Sequence, residues 1–311
     1  MNHRIILGSR PSQMAMQMAN HAKSLLEAQY AGVEVVVQTY ASTGDRNLGD
    51  LSKLGGKGAF VKDLEERLLQ GEVDCAIHSL KDVPGDIEPH PELELTAFLT
   101  REDPRDALVM RAGLPLPTDG AGVTLATSSP RRQAFLRQLY PQAKIIPLRG
   151  NVNTRFRKMS DGEFDGMVLA KSGLERIELA QHISKVYEPE EMLPAVGQGI
   201  IALQVRKVDI AKCGFLRAIH SQHTGQVVAA ERRLLRVLQG HCHSAIAGYC
   251  DESGGLRRLR AWVSNPVGSE SIYTEVVQSL EADAENLGQT AAEELLAKGA
   301  RRLIDTGVNA A

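Results

Sequence analysis

The first half of the chain alternates strand-like and helix-like segments, and this alternation restricts its fold more than any other feature. Strand patterns occur at residues 4–7, 33–38 and 73–77, and amphipathic helical patterns lie between them. Strands separated by helices form βαβ units, whose strands run parallel to each other. The pattern therefore predicts an α/β fold built on a parallel sheet.

Two amphipathic helices are predicted between these strands. The apolar side chains that share one face of the first helix are Met14, Met18, Ala22 and Leu25. The second helix runs over residues 60–70, stacks Phe60, Leu64 and Leu68, and has Gly71 just after its C-cap. We interpret the methionine-rich face as core packing, because methionine fills irregular gaps in apolar cores.

A second α/β unit is predicted beyond a proline-rich segment at residues 84–91. Its strand patterns lie at residues 123–126, 144–147 and 167–170, and its helix at 133–140. A connection that contains proline and glycine follows at 189–199. The last third of the chain has a different sequence pattern, in which a basic helix predicted at 229–238 precedes strand-like and helical segments.

Composition argues against several classes of protein. The 311 residues include 36 Lys and Arg and 38 Asp and Glu, a net charge of −2, and only 4% are aromatic. A nucleic-acid binder is therefore disfavoured, since neither a global positive field nor stacking platforms are indicated. The four cysteines are too few for a disulfide framework. With no signal-peptide pattern and no run of about 18 apolar residues, we expect a cytoplasmic protein without a membrane segment.

Positive charge is concentrated between residues 126 and 176, where ten basic and four acidic residues give a net +6. The run Thr-Ser-Ser-Pro-Arg-Arg at 127–132 leads from a strand into a helix, with Ser129 as N-cap and Pro130 at the first helical position. The turn could be a simple cap, or it could bind anions through free amides and two arginines. A second strand-to-helix turn at 148–151, followed by Arg155, favours a polyanion site.

Two loops of the first unit are further candidates for a site. The run His-Ser-Leu-Lys-Asp-Val-Pro at 78–84 leaves the end of a strand, where ligands of open α/β sheets bind, so Lys81 and Asp82 could meet a ligand or form a simple turn. Lys57 lies in a Gly-Gly-Lys-Gly segment that lacks the spacing of a phosphate loop. This segment is either a mobile lid or an ordinary loop.

Cys242 stands between His241 and His243, with Cys250 eight positions further on. Zinc uses such ligands, but the spacing fits none of its usual pairs. A reactive or anchoring thiol is the preferred interpretation, and a buried inert cysteine is the alternative. Cys75 and Cys213 lie in apolar segments and are interpreted as core residues.

These runs, taken in order, resemble the porphobilinogen deaminase, or hydroxymethylbilane synthase, family. The resemblance also rests on Gly-Ser-Arg-Pro-Ser at 8–12, Gly-Gly-Lys-Gly-Ala-Phe-Val-Lys at 55–62, Arg-Glu-Asp-Pro-Arg-Asp at 101–106, Leu-Arg-Gly-Asn-Val at 148–152 and Leu-Pro-Ala-Val-Gly-Gln-Gly at 193–199. It covers most of the chain from residue 8 to Cys242 and is looser beyond.

The resemblance implies an α/β fold with two lobes like those of periplasmic binding proteins, a double crossover and a smaller C-terminal α/β domain. Domain 1 would comprise residues 1–96 with 200–217, domain 2 residues 104–190, and domain 3 residues 222–311. The implied enzyme joins four porphobilinogen molecules head to tail into hydroxymethylbilane, in haem and tetrapyrrole biosynthesis, and releases ammonia at each condensation. Its dipyrromethane cofactor is held by a thioether, and Cys242 matches the anchoring position.

The resemblance also assigns roles to residues. Asp82 would be the catalytic residue, stabilising the cation left by ammonia and doing acid/base work. The residues implied to bind the cofactor are Cys242, Lys81, Asp82, Ser129, Arg131, Arg132, Arg155 and Gly150. Those implied to bind substrate are Arg10, Ser12, Lys57, Arg149 and Arg176. The arginines would offset the acetate and propionate groups of the growing chain.

A few positions depart from the family pattern. His241 replaces a glycine, Ala245 a proline, Asn153 a common glycine and Gln17 a common tryptophan. The alternative function is therefore a catalytically altered paralogue that binds pyrroles or anions. We expect porphobilinogen as the small-molecule partner, no nucleic acid, membrane or metal, and a monomer.

Overall fold

The computed structural model describes residues 4–41, 58, 61–85, 90–240 and 244–306. The chain forms two compact units. Unit 1 comprises Met1–Glu102 and Gly199–Gln226, and unit 2 comprises Asp103–Gln198 and Val227–Ala311. The chain therefore passes from unit 1 to unit 2, returns, and passes to unit 2 again.

The helices and strands of the described residues, in chain order, are β1 (Arg4–Ser9), α1 (Gln13–Gln29), β2 (Glu34–Thr39), α2 (Lys62–Leu69), β3 (Cys75–Ser79), β4 (Leu93–Phe98), β5 (Asp106–Met110), β6 (Thr124–Ala126), α3 (Pro130–Leu139), β7 (Lys144–Ile146), α4 (Val152–Ser160), β8 (Gly166–Ala170), α5 (Lys171–Arg176), β9 (Lys185–Val186), β10 (Ile201–Arg206), α6 (Gln222–Leu238), β11 (Ala245–Ser253), β12 (Leu256–Ser264), β13 (Ser271–Ser279), α7 (Ala284–Ala297) and α8 (Ala300–Thr306).

Unit 1 contains a five-stranded sheet of order β2-β1-β3-β10-β4. Strand β1 pairs parallel with β2 and β3, as the alternating pattern predicts. The expectation of a wholly parallel sheet is wrong for this unit, because β10 pairs antiparallel with both β3 and β4. Strand β10 enters after the chain has passed through unit 2, so no βαβ crossover sets its direction.

Unit 2 repeats this arrangement in a sheet of order β7-β6-β8-β5-β9. Strand β6 is parallel to β7 and β8, and β5 is antiparallel to β8 and β9. In each sheet the antiparallel fourth strand begins just after the chain enters that unit. The parallel expectation is again correct only for the three strands that helices connect.

The C-terminal part of unit 2 is a smaller α/β layer. Its sheet, of order β11-β12-β13, is antiparallel throughout. Helices α6, α7 and α8 share an apolar core with this sheet. Leu234 of α6, Leu259 of β12 and Leu295 of α7 are fully enclosed in it. The predicted fold class, two α/β lobes with a smaller C-terminal α/β domain, is confirmed. The three-domain boundaries remain a prediction.

Helix α1 shows how far periodicity can locate a buried face. Its buried residues are Ala15, Met18, Ala19, Ala22 and Leu26. The predicted stripe shares Met18 and Ala22 with this set, but Met14 and Leu25 are only half-buried. Alanines 15 and 19 let the helix lie close to the sheet, and this moves the contact away from the larger side chains.

Candidate active site

The first site loop joins β1 to α1. Ser12 is the N-cap of α1, and its Oγ accepts a hydrogen bond from the backbone N–H of Ala15 at 3.3 Å. Ser9, which is fully buried, donates from its Oγ to the Ala15 carbonyl at 3.1 Å. Together these bonds fix the loop that carries Arg10, which lies half-buried between them.

The second site loop follows β3. Leu80–Asp82 form one short 3₁₀ turn, in which Leu80 is buried while Lys81 and Asp82 are exposed. The backbone N–H of Leu80 donates to the Ile200 carbonyl at 3.0 Å, and that of Val83 donates to Leu80 at 3.0 Å. The buried leucine anchors the turn, so the two charged side chains next to it face away from the core.

These two loops meet at one small recess, which has a cavity volume of about 20 Å³ and is open to solvent. The recess is lined by Arg10, Ala15, Met18, Val61, Ile77, His78, Ser79 and Asp82. It lies beyond the carboxyl ends of the parallel strands β1 and β3, where α/β sheets bind ligands. The structure thus brings together a guanidinium, Arg10, and a carboxylate, Asp82, that are 72 positions apart in sequence.

Unit 2 carries the cationic loops. Ser129 is the N-cap of α3, as predicted, and its Oγ accepts from the Arg132 N–H at 3.4 Å, with Pro130 at the first helical position. Ser128 ties this loop to the next, because its Oγ donates to the Leu148 carbonyl at 2.8 Å and accepts from the Leu148 N–H at 2.9 Å. The two strand-to-helix turns predicted to form one polyanion site are therefore neighbours.

Arg131 and Arg132 are buried and share a carboxylate that the sequence analysis did not identify. Asp106, which is fully buried, lies 2.7 Å from a guanidinium nitrogen of each arginine. Arg131 also donates to the Leu193 carbonyl at 2.7 Å, and Arg132 to that of Val168 at 3.0 Å. Burial lowers the pKa of Arg131, although the charge of Asp106 opposes this effect.

This buried cluster keeps an excess of positive charge, because one carboxylate faces two guanidinium groups. Gln198 completes it, donating from Nε2 to Asp106 Oδ1 at 3.1 Å and to the Pro104 carbonyl at 2.6 Å. Within the described residues, Arg131 Nε is buried and has no hydrogen-bond partner. Asp106 lies in the run Arg-Glu-Asp-Pro-Arg-Asp at 101–106 that the sequence analysis singled out. The sequence does not show which residues form ion pairs or hydrogen bonds with this carboxylate.

The second cationic loop is shaped by Gly150, whose φ is +107°. Its carbonyl accepts a hydrogen bond from Arg155 Nε at 2.8 Å, and Asn151 caps α4 through a bond from the Thr154 N–H at 2.9 Å. Arg149, in the same loop, is exposed. Its side chain can therefore reach a molecule that approaches the loop from solvent.

The other predicted site residues are placed as follows. Arg176 is the last residue of α5, directly beyond β8, and is half-buried. Lys57 and Cys242 lie outside the described residues, as do His241 and His243. Cys250 is buried, and its backbone N–H donates to Glu231 Oε1 at 2.8 Å.

Comparison with known proteins identifies the family. Residues 5–213 match the family model described as porphobilinogen deaminase, dipyromethane cofactor binding domain, and residues 226–297 match the porphobilinogen deaminase C-terminal domain. The chain belongs to the porphobilinogen deaminase family. The resemblance inferred from the sequence motifs is thereby confirmed.

Several relatives of this family match along nearly their whole length. Porphobilinogen deaminase 2 of Streptomyces coelicolor is 43% identical over 299 residues, with 96% of this chain and 95% of the relative covered. Porphobilinogen deaminase of Chromobacterium violaceum is 40% identical over 303 residues, and that of Laribacter hongkongensis 39% over 304, each with 97% of both chains covered. The looser match beyond Cys242 thus still lies within the family.

Solved structures with distant likeness include the VFT2 domain of Bordetella pertussis BvgS. It is 18% identical, has a TM-score of 0.42, and covers 74% of this chain and 91% of that one. The methionine-binding protein MetQ is 15% identical with a TM-score of 0.42, covering 70% of this chain and 91% of that one. These likenesses are too distant to add to the family assignment.

Two further findings concern metals and membranes. Over residues 4–41, 58, 61–85, 90–240 and 244–306, no group of three His, Cys, Asp or Glu side chains is placed to hold a metal ion. Within the same part of the chain, none of the helices has the length and apolar character needed to span a bilayer.

Proposed function

We propose that this protein is a hydroxymethylbilane synthase, which joins four porphobilinogen molecules head to tail and releases one ammonia at each condensation. The observation that carries the proposal is the recess that holds Asp82 and Arg10, in a chain that belongs to the porphobilinogen deaminase family. Porphobilinogen bears acetate and propionate side chains, a pyrrole N–H and an aminomethyl group. A carboxylate and a guanidinium at one recess complement these groups.

Asp82 is proposed to accept the pyrrole N–H and to stabilise the positive charge that develops as ammonia leaves. Its exposed position on the turn after β3 lets its carboxylate reach a substrate in the recess. A fixed carboxylate beside a developing cation acts without reorganising at the moment of reaction. The buried Leu80 side chain, next but one in sequence, holds the turn in place.

Arg10, Ser12 and Lys81 are proposed to bind the carboxylates of the substrate. Arginine does so by paired hydrogen bonds, and lysine acts as a point charge. Ser12 can contribute because its Oγ is the acceptor of the helix cap, which leaves its O–H to donate. Lys57 is proposed to cover this site.

The loops of unit 2 fit a polyanionic cofactor. The cluster around Asp106 has more guanidinium than carboxylate charge, and Arg131 Nε is buried without a partner among the described residues. Arg131, Arg132, Arg155, Arg149 and Arg176, with Ser129 and the Gly150 loop, would hold the carboxylates of dipyrromethane. Lys81 and Asp82 remain proposed cofactor-binding residues of unit 1. Cys242 would anchor it by a thioether. The cofactor supplies the pyrrole carbon from which the product chain is extended.

The proposal includes a cytoplasmic location and a monomer. It also includes a division of unit 2 into a domain at 104–190 and a cofactor-anchoring domain at 222–311. A second candidate function, an altered paralogue that only binds pyrroles, rests on His241 and Ala245. It is disfavoured because a binding protein has no need of both Asp82 and Cys242.

The intact mass of the purified protein, compared with that of Cys242→Ser, tests the proposal. We expect the wild type to exceed its chain mass by two linked pyrrole units and to release ammonia from porphobilinogen. Cys242→Ser should lack the excess, while Cys250→Ser, the same change at a buried cysteine, should keep it. A bare wild-type chain that releases no ammonia would instead support the binding protein.

A further inference from the structure

A buried polar chain links strands β3 and β10 to helix α2 in unit 1, and its histidine lines the recess. His78, on β3, is 5% exposed, and its Nε2 lies 2.9 Å from Oε1 of Gln204 on β10, which is 2% exposed. Gln204 Nε2 donates to Glu65 Oε1 on α2 at 2.9 Å. Three elements therefore combine to hold one imidazole, and that imidazole lines the recess with Arg10 and Asp82.

The chain fixes where the proton of the imidazole sits. The Glu65 carboxylate can only accept, so the amide nitrogen of Gln204 must face it and the amide oxygen must face His78. An amide oxygen also only accepts, so His78 Nε2 carries the hydrogen. In a neutral ring Nδ1 is then a lone-pair acceptor, and it is the nitrogen left to meet a molecule in the recess.

The surroundings keep this ring neutral. Burial lowers the pKa of His78 to about 4, the bond to Gln204 opposes this shift, and the charge of Arg10 adds to it. At neutral pH the imidazole is thus a hydrogen-bond acceptor and a very weak base. An alkylammonium group, whose pKa is near that of lysine, about 10, would keep its protons beside such a ring.

We propose that His78 binds the aminomethyl ammonium group of the substrate through Nδ1, and so selects porphobilinogen by its leaving group. This inference rests on the proposed function. Asp82 is proposed to bind the pyrrole N–H and the cationic side chains the carboxylates, so the ammonium group of the substrate still lacks an assigned partner. When the carbon–nitrogen bond breaks, its electron pair goes to nitrogen, which leaves as NH₃, and the positive charge remains on the substrate carbon beside Asp82. Because His78 does not first remove a proton from the ammonium group, the nitrogen keeps its three hydrogens and leaves as neutral NH₃.

Two substitutions separate the two nitrogens of the ring. His78→Gln places an amide at the position of Nε2, which keeps the bond to Gln204 but removes the acceptor at Nδ1. His78→Asn places an amide oxygen near Nδ1 and gives up the bond to Gln204. For each holoenzyme we would measure the porphobilinogen concentration that half-saturates single-turnover ammonia release. We would also measure the inhibition constant of an analogue with methyl in place of aminomethyl.

For His78→Gln we expect about a tenfold rise in the half-saturating porphobilinogen concentration, the size of one hydrogen bond to a charged group. The inhibition constant of the methyl analogue should change less than about twofold, and intact mass should show full cofactor loading. His78→Asn should retain more of the preference for porphobilinogen than His78→Gln does.

A purely structural role would weaken both ligands equally in His78→Gln, and this result would overturn the inference, as would no change in either. If His78→Gln does not fold, loss of the preference in His78→Asn would overturn it as well. Wild-type protein that releases no ammonia would overturn the proposed function itself, and this assignment with it.

Discussion

Asp106 determines the arrangement of the cationic side chains in unit 2 more than any of the arginines that a ligand would touch. It is fully buried, and it fixes the guanidinium groups of Arg131 and Arg132 at 2.7 Å each. Two adjacent arginines would otherwise repel each other and adopt many rotamers. With Asp106 between them, both guanidinium groups are held in place by the protein itself, so the proposed anion-binding surface is preorganised.

Asp106→Asn should lower the stability of unit 2 by about 3 kcal/mol or more, because removing one partner of a buried ion pair leaves the other charge uncompensated. Urea unfolding measures this change. Glu72→Gln is the matched control, since it breaks the exposed pair with Arg67, whose members are 40% and 37% exposed, and should change stability by less than about 1 kcal/mol. Equal effects of the two substitutions would show that Asp106 does not hold the cluster.

The residues that sequence reasoning found and missed differ in the range of their interactions. Ser129 was predicted as a cap because its partner, the N–H of Arg132, is three positions away. The contacts of Asp106 join positions 106, 131, 132 and 198, which come together only when strand β5, helix α3 and the turn that contains Gln198 have packed. The role of Gln204 was missed for the same reason, since it bridges two groups more than 120 positions away.

At the scale of elements, the turn between β7 and α4 depends on Gly150. Its φ of +107° lies in a region that side chains disfavour, and a Cβ there would lie 2.9 Å from the Thr154 side chain. Thr154 also supplies the N–H that Asn151 caps. A change at Gly150 therefore disturbs both the start of the helix and the carbonyl that orients Arg155.

Gly150→Ala should reduce stability by about 2 kcal/mol, from backbone strain and the contact with Thr154, and should lower the fraction of purified protein that carries cofactor. Gly162→Ala is the matched control. Its φ is +82°, but nothing lies within 4 Å of the added Cβ, so it carries the strain alone. Urea unfolding and intact mass give the two readings. If Gly162→Ala lost as much cofactor as Gly150→Ala, the shape of this turn would not matter for binding.

Strand direction was the element-level property that sequence did not reveal. Apolar periodicity located β1, β6 and β8 to within a few residues, because burial on both faces gives a strong local signal. Whether a strand runs parallel or antiparallel depends on where the chain enters the sheet. Strand β5 joins its sheet after the chain has passed into unit 2, and β10 joins its sheet after the chain has returned to unit 1. The residues of these strands do not indicate the direction in which each strand pairs.

At the scale of the whole molecule, the two sheets of unit 2 share a core. Trp262 of β12, the only tryptophan of the chain, is 5% exposed and stacks on Phe135 of α3 with ring centroids 4.1 Å apart. Ala245 and Ala247 of β11 join the same cluster as Leu108 and Leu125 of the larger sheet. The helix that carries Arg131 and Arg132 therefore rests on the C-terminal sheet, so the two layers should unfold together.

Trp262 fluorescence can test this coupling, because the reporter lies in one layer and Asp106 in the other. In Asp106→Asn the urea midpoint of Trp262 emission should fall in step with the loss of far-ultraviolet circular dichroism. Glu72→Gln, in unit 1, should leave the Trp262 midpoint unchanged. If the proposed domains at 104–190 and 222–311 unfolded independently, the Trp262 transition would stay in place while the rest of unit 2 lost stability. A shared shift would mean that a ligand anchored to the C-terminal layer also stabilises the arginine loops of the other layer, since both belong to one cooperative unit.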